Sequence, residues 1–94
     1  MVDLSKAKEY LRIDEEDEDN FIEMCIEFSK EEIRNSTGVD FDSGGESKTY
    51  QMAQLIIITD RYENRGSQDL EFKPNNTLSC LYTKLKYGDY NVQS

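Results

Sequence analysis

Leu55-Ile56-Ile57-Ile58-Thr59 is the stretch of sequence on which the fold class depends. Taken alone, this β-branched run suits a buried strand as well as a helix. When the pattern is extended to Tyr50, Ala53 and Tyr62, the apolar residues take helical spacing, and residues 50–64 are too many for a typical strand. We therefore predict a central helix over this segment and expect it to be the most buried part of the protein.

Two helices are predicted before it. Asp3 is a candidate N-cap for a short helix through about Leu11. The apolar side of that helix comprises Leu4, Ala7, Tyr10 and Leu11. A second helix is expected to start in the acidic run Asp14 to Asp19, because carboxylates suit the unpaired N–H groups and the dipole of a helix N-terminus. Thr37-Gly38 marks its end.

A last helix is predicted after two loops, which cover residues 38–47 and 66–76. Its apolar stripe has the spacing i, i+3, i+4, i+7 and consists of Leu78, Leu81, Tyr82 and Leu85. Asn76 or Thr77 is expected to cap this helix and Gly88 to end it. The predicted fold is all-α, a small four-helix bundle over residues 1–88 with a mobile C-terminal tail at residues 89–94.

The charge is distributed unevenly. The 94 residues include 20 acidic and 11 basic side chains, a formal charge of −9. Residues up to Glu46 carry 15 acids and 5 bases, whereas the remainder carries 5 acids and 6 bases. This distribution argues against a domain that grips DNA electrostatically. Leu, Ile, Val and Phe together number 21, so the core is thin and we expect neighbouring subunits to contribute to stability.

Targeting and redox signals are few. No apolar run is long enough to span a bilayer, and the first residues lack the pattern of a signal peptide. Cys25 and Cys80 are therefore expected to be reduced thiols in the core of a protein that is intracellular or assembled inside a cell. Tyr10, Tyr50 and Tyr62 are expected to be core or interface aromatics.

The sequence lacks the patterns that are typical of catalytic and metal-binding sites. The sequence has no histidine and no Gly-rich phosphate loop, so we expect no enzyme activity, no catalytic residues and no cofactor. Asp40-Phe41-Asp42-Ser43-Gly44-Gly45 begins like a calcium loop, but Gln51 stands where a bidentate Glu is needed. The run Asp14 to Asp19 has carboxylates but no turn to wrap them round an ion. A solvated segment is expected at both places, with no metal.

Five segments, in the right order, resemble one family of tailed-phage proteins. They are residues 3–14 (Asp3-Leu4-Ser5-Lys6-Ala7-Lys8-Glu9-Tyr10-Leu11-Arg12-Ile13-Asp14), 18–22, 36–38, 60–65 (Asp60-Arg61-Tyr62-Glu63-Asn64-Arg65) and 81–86. The family is that of the small head-tail connectors, or head-completion adaptors, often described as DNA-packaging proteins. Lys84 and Lys86 depart from the Gln and Arg of the family's terminal motif.

The resemblance implies a small helical bundle without catalytic activity. Copies of such a protein form a ring homo-oligomer beneath the portal after packaging. The ring extends the DNA channel and offers a surface to the next head-completion or tail protein. The expected partners are thus the chain itself, the portal protein and that next protein, while DNA passes without specific binding and no membrane is involved. The expected location is the head-tail interface of the virion, and the host cytoplasm during assembly.

Two groups of residues are candidates for the contacts of such a ring. Arg61, Tyr62 and Arg65 lie at the end of the central helix and are predicted to form the subunit interface, with an arginine meeting carboxylates of the adjacent subunit's acidic half. Tyr87, Tyr90 and Val92 give the C-terminal segment apolar anchors and are predicted to dock on the portal.

Two other functions remain open on the sequence. The acidic half suits a phage-encoded inhibitor that mimics DNA by presenting carboxylates to another protein's basic groove. The all-α composition also suits a bacterial regulatory module with no phage role. The mass of the assembly separates the first alternative from a connector, because a ring and a one-to-one inhibitor complex differ greatly in mass.

Overall fold

The computed structural model describes residues 1–64 and 74–87, and 74% of it is helical. The described part holds no strand and five helices: α1 (Leu4–Leu11), α2 (Asp19–Thr37), α3 (Phe41–Gly44), α4 (Lys48–Glu63) and α5 (Asn76–Lys86). The predicted all-α class is confirmed. Four of the helices are the predicted ones, and the single-turn α3 lies in a segment that the sequence analysis assigned to a loop.

Helix α4 occupies the centre of the bundle. It contacts α1, α2 and α5. Only Lys48, Met52 and Glu63 of its 16 residues are exposed, fewer in proportion than in the other multi-turn helices. The prediction of a buried central helix is therefore confirmed, and the run of isoleucines is helical because three neighbouring helices cover it from different sides.

The core consists of two apolar clusters that meet along α4. One lies between α2, α4 and α5 and is built around Ile33, Ile57 and Leu85. The other lies between α1, α2 and α4, around Ile22 and Ile58. With two apolar sides, α4 joins the clusters into one body.

Local hydrogen bonds define most helix ends. The backbone N–H of Lys6 donates to Asp3 Oδ1 at 2.9 Å, which confirms the predicted N-cap of α1. Gly38 ends α2 with φ of 82°, a left-handed conformation that glycine adopts without strain. Helix α5 begins one or two residues earlier than predicted. Its N-cap is Asn75, not Asn76 or Thr77, because Asn75 has extended backbone and its Oδ1 accepts from the N–H of Leu78 at 2.7 Å.

The acidic run enters α2 only at its last residue. Asp19 is the first helical residue, and Glu18 at the N-cap makes no capping hydrogen bond with its side chain. Asp14 to Asp17 are exposed in the linker that follows α1. The prediction that α2 starts within the run thus holds for Asp19 alone. Like charges three or four residues apart destabilise a helix, which favours a solvated linker that ends in a turn at Asp17 and Glu18.

Cys80 was predicted to lie in the core but lies on the surface, and Tyr10, predicted as a core or interface aromatic, is not in the core of the isolated chain. Cys25 is buried as expected, but Cys80 is exposed, and no disulfide joins the two thiols. On α5 the direction of Cys80 differs by about 200° from that of Leu78, so its side chain points away from the buried stripe. Tyr10 is 53% exposed, whereas Ala7 on the same helix is fully buried. The predicted apolar side of α1 is therefore narrower than expected.

Several predictions concern residues outside the described part of the chain. Arg65, the end signal Gly88 and the predicted tail of residues 89–94 with Tyr90 and Val92 all lie there. Tyr87 is the last described residue. In the described residues, no helix has the length and apolar character needed to cross a bilayer.

Candidate functional site

Arg61 points along the surface of its own subunit at the end of α4. Its Nη2 lies 3.0 Å from Asp60 Oδ2 in an ion pair. Its guanidinium also lies over the ring of Phe28, 5.5 Å from the centroid. Arg61 therefore already has an anionic and an aromatic partner within the chain, and a carboxylate from another molecule would have to share or replace the pair with Asp60.

Tyr62 connects α4 to the acidic linker. Its hydroxyl donates to Glu18 Oε1 at 2.5 Å, and its ring lies 6.3 Å from that of Phe21. Lys8 pairs with Asp19 at 2.8 Å beside it. These contacts hold the last two acidic residues of the run against the bundle and leave Asp14 to Asp17 exposed.

The candidate calcium loop has a different geometry from a metal loop. Asp40 is the N-cap residue of α3, and its Oδ1 lies 2.7 Å from Arg34 Nε. Lys30 Nζ lies 4.0 Å from the centroid of the Phe41 ring. An open groove of about 500 Å³ runs between α2 and α3 here, lined by side chains of both signs. Within the described residues, no group of three or more acidic or cysteine side chains is placed to hold a metal ion.

The α2 outer face is the part of the solvent side of α2 that is formed by Glu23, Met24, Glu27 and Glu31; the exposed Asn20 and Arg34 adjoin it at its two ends. The three glutamates follow one another at four-residue spacing, so they lie along one side of the helix. Glu27 pairs with Lys30 at 3.2 Å. Met24 is 68% exposed among these carboxylates. Met24 is thus an uncharged side chain within a negatively charged surface.

The α5 outer face is the solvent side of α5, formed by Cys80, Thr83, Lys84 and Lys86. Cys80 and Thr83 are small and lie opposite the buried stripe, with the two lysines on either side of them. Neither lysine takes part in an ion pair with another described residue. Tyr87 follows directly and is 76% exposed.

Two tyrosines in the core have displaced pKa values. Burial, and then the charge of Asp40, raise the pKa of Tyr50 to about 12. Burial likewise raises the pKa of Tyr82, and the hydrogen bond that its hydroxyl donates to Glu32 Oε2 at 2.9 Å adds to the shift. Both displacements move the pKa of the phenol further from neutral pH, so neither hydroxyl loses its proton there; Tyr82 packs and donates a hydrogen bond, and Tyr50 packs.

Of the predicted interface and docking residues, the described part of the chain contains Arg61, Tyr62 and Tyr87. Arg61 and Tyr62 are consecutive residues in the last turn of α4, and Tyr87 is the C-cap residue of α5. The α2 and α5 outer faces were not among the predicted sites. The spacing of Glu23, Glu27 and Glu31 was the available signal, and it needed the helix boundaries before it could be assigned to one surface.

Comparison with known proteins gives one informative result. Residues 1–85 match the model of a family described as phage gp6-like head-tail connector protein. Searches of curated proteins and of solved structures give no match. The matched residues include α1, α2, α3, α4 and most of α5.

Proposed function

The chain belongs to the phage gp6-like head-tail connector family, and from that membership we propose that its copies form a ring beneath the portal of a tailed-phage head. The ring extends the DNA channel and completes the head after packaging. Its free side then offers a surface to the next head-completion or tail protein. The observation that supports this function is the family match over residues 1–85, nine tenths of the chain.

The charge of the chain suits a channel through which DNA moves. Each phosphate neutralised by a Lys or Arg adds salt-dependent affinity, and affinity would retard the passage of DNA. With a net charge of −9, copies of this chain repel DNA on average and bind it at no particular sequence. We place the protein at the head-tail interface of the virion, after assembly in the host cytoplasm.

Contacts between copies are proposed at the end of α4, through Arg61, Tyr62 and Arg65. A carboxylate of the neighbour's acidic half would join the existing pair of Arg61 with Asp60. Such a contact offsets part of the repulsion between subunits that are all strongly negative.

The portal contact is proposed for the C-terminal end, through Tyr87, Tyr90 and Val92. The 76% exposure of Tyr87 leaves its ring available to a partner. Many weak contacts repeated around a ring give a strong total attachment.

The C-terminal contact is tested by deletion of residues 89–94. We expect heads that carry the shortened chain at a reduced number of copies, because the repeated tail contacts are lost. Occupancy is measured by quantitative mass spectrometry of purified heads, with circular dichroism as the control for folding. Heads that acquire the shortened protein at normal occupancy would show that the tail does not dock.

The function itself is tested in particles from a phage that lacks this chain. We expect DNA-filled heads without tails, and tailed particles again when the chain is supplied from a plasmid. Native mass spectrometry of the assembly should then give a closed multimer. Normal tail attachment in the absence of the chain contradicts the proposal.

An inhibitor that mimics DNA is the second candidate, supported by the exposed carboxylates of Asp14 to Asp17 and of the α2 outer face. It predicts a compact complex with one DNA-binding protein and no copies of the chain in purified virions. Proteomic analysis of virions separates the two functions directly.

A further inference from the structure

We propose that, within the ring, the α2 outer face of one copy binds the α5 outer face of the next copy. This inference rests on the proposed ring and names the two surfaces that close it, in addition to the end of α4. The contact is head-to-tail, since each copy contributes a different surface on each side.

In the isolated chain, the glutamates of the α2 outer face have few cationic partners and Met24 is exposed to water. Glu23, Glu27 and Glu31 are like charges at four-residue spacing, an arrangement that destabilises a helix. Of the three, Glu27 has a cation partner in Lys30, and neither Glu23 nor Glu31 is paired with another described residue. The exposed Met24 lies among them. A partner with cations around a small apolar centre would reduce the repulsion between the glutamates and would cover Met24.

The α5 outer face has that composition. Cys80 and Thr83 present small side chains, over which a second helix can approach closely. Lys84 and Lys86 flank them and are in no ion pair with the rest of the described chain. Met24 of one copy would pack against Cys80 of the other, while the lysines meet the glutamates.

Other cations are less available for this contact. Lys8, Lys30, Arg34 and Arg61 are already paired with carboxylates of their own chain. Lys6, Arg12 and Lys48 also take part in no ion pair with a described residue, but they lie apart, within α1, at its C-cap and at the start of α4. Lys84 and Lys86, by contrast, are two closely spaced cations on one helix.

Charge also selects the polarity of the assembly. Two α2 outer faces repel each other, and so do two α5 outer faces, which disfavours a two-fold dimer through either surface. Only the pairing of unlike faces is attractive. Contacts between unlike faces repeat from copy to copy and give a ring when the rotation closes, as a connector requires.

The unmodified protein provides the first test, because Cys80 is exposed and Cys25 is buried. In the isolated chain, a maleimide should alkylate Cys80 rapidly under native conditions. In tail-less or complete particles that contain the chain, we expect alkylation of Cys80 to be at least tenfold slower. An equal rate in the free and the assembled protein would overturn the proposal.

A cross-link tests the partner of Cys80. We expect Met24→Cys, placed on an exposed residue, to form disulfides with Cys80 of the neighbour under mild oxidation, giving a ladder of dimers, trimers and higher multimers. Met52→Cys, at the exposed methionine of α4, is the matched control and should give no ladder beyond dimers. The double variant Met24→Cys with Cys80→Ser should also give no ladder. A ladder that persists without Cys80, or one that is equal for both methionine positions, contradicts the assigned faces.

Charge exchange gives an independent readout of association. Lys84→Glu with Lys86→Glu should weaken assembly about tenfold or more, and so should Glu27→Lys with Glu31→Lys. An equimolar mixture of the two variants should assemble into alternating copies, whereas neither variant assembles alone.

If the chain is found in particles but Cys80 is not protected from alkylation, the face assignment fails and the connector function stands. If the chain is absent from particles, the connector function itself fails.

Discussion

At the scale of single residues, the core combines well-packed aliphatic groups with a few polar atoms that have no partner among the described residues. Tyr50 is fully buried, and its hydroxyl makes no hydrogen bond with the described residues. Gln54 is also buried; its Nε2 donates to Ser29 Oγ at 2.9 Å, but its Oε1 has no described partner. Such atoms reduce stability, because they lose water without gaining an equivalent bond.

Tyr50→Phe removes one of these atoms. At pH 7 we expect the free energy of unfolding to stay constant or to rise by about 1 kcal/mol, since no hydrogen bond is lost. Because folding raises the pKa of Tyr50 from 10 to about 12, the fold favours the protonated phenol over the ionised one. The free energy of unfolding is therefore unaffected by this group below pH 10 and falls as the pH rises toward 12. Urea unfolding between pH 7 and about 11.5 should show a weaker alkaline loss in the variant. A loss of more than about 1 kcal/mol at pH 7 would indicate a hydrogen bond to the hydroxyl.

Ile57→Ala tests the packing between the helices. Ile57 is fully buried in the cluster shared by α2, α4 and α5, so its truncation should lower the free energy of unfolding by about 2–5 kcal/mol. That is a large part of the total expected for a domain of this size. Met52→Ala, on the exposed side of the same helix, should cost less than about 1 kcal/mol. If both variants lost the same free energy of unfolding, Ile57 would not be a core residue.

At the scale of helices, the ends depend on short polar contacts and the middles on neighbours. Ser47 caps α4 in the same way that Asn75 caps α5, with the side-chain oxygen accepting a backbone N–H three residues on. The caps determine where each helix begins, and the apolar stripe determines how it packs. Tyr62 and Tyr82 then connect α4 and α5 to carboxylates at the two ends of the bundle.

Asn75→Ala should lower the stability of the bundle by about 1 kcal/mol, because the N–H of Leu78 loses its acceptor. Asn75→Asp is the control; it keeps the acceptor and places a negative charge at the positive end of the helix dipole. The free energy of unfolding is compared by urea titration at pH 7. A variant with Ala that is as stable as the one with Asp would mean that the cap adds nothing to α5.

At the scale of the whole molecule, an acidic half is attached to a nearly neutral one, and assembly must overcome repulsion between copies. Seven exposed carboxylates lie on the linker and on the α2 outer face, and both segments belong to the acidic half of the chain. Cations that reach a neighbour then determine whether copies associate.

Arg61→Glu with Arg65→Glu tests the proposed contact at the end of α4. We expect assembled multimers to be lost while the monomer remains helical, because two attractions across the interface become repulsions. Lys6→Glu with Lys48→Glu changes the net charge by the same amount at exposed positions on other helix turns and should leave assembly intact. Multimer mass is measured by native mass spectrometry and folding by circular dichroism. Multimers of unchanged mass and abundance in the arginine variant would exclude these two residues from the interface.

Local signals in the sequence determined the helical class and most helix ends. The cap at Asp3, the stop at Gly38 and the stripe from Leu78 to Leu85 are short-range patterns, and each has its predicted role in the fold. They could be predicted because helix spacing and capping depend on residues no more than four positions apart. The family motifs are equally local, so the connector family was recognisable from the order of the residues alone.

Only the tertiary structure decided which surfaces are covered and which remain open. Cys80 and Tyr10 look like core residues in the sequence but lie on the surface, because no described helix covers their side of α5 or α1. Arg61 looks like a free interface cation, yet it is paired with Asp60 beside Phe28. Burial and pairing depend on residues far apart in the chain, such as Tyr62 and Glu18, and short-range spacing does not encode those distances.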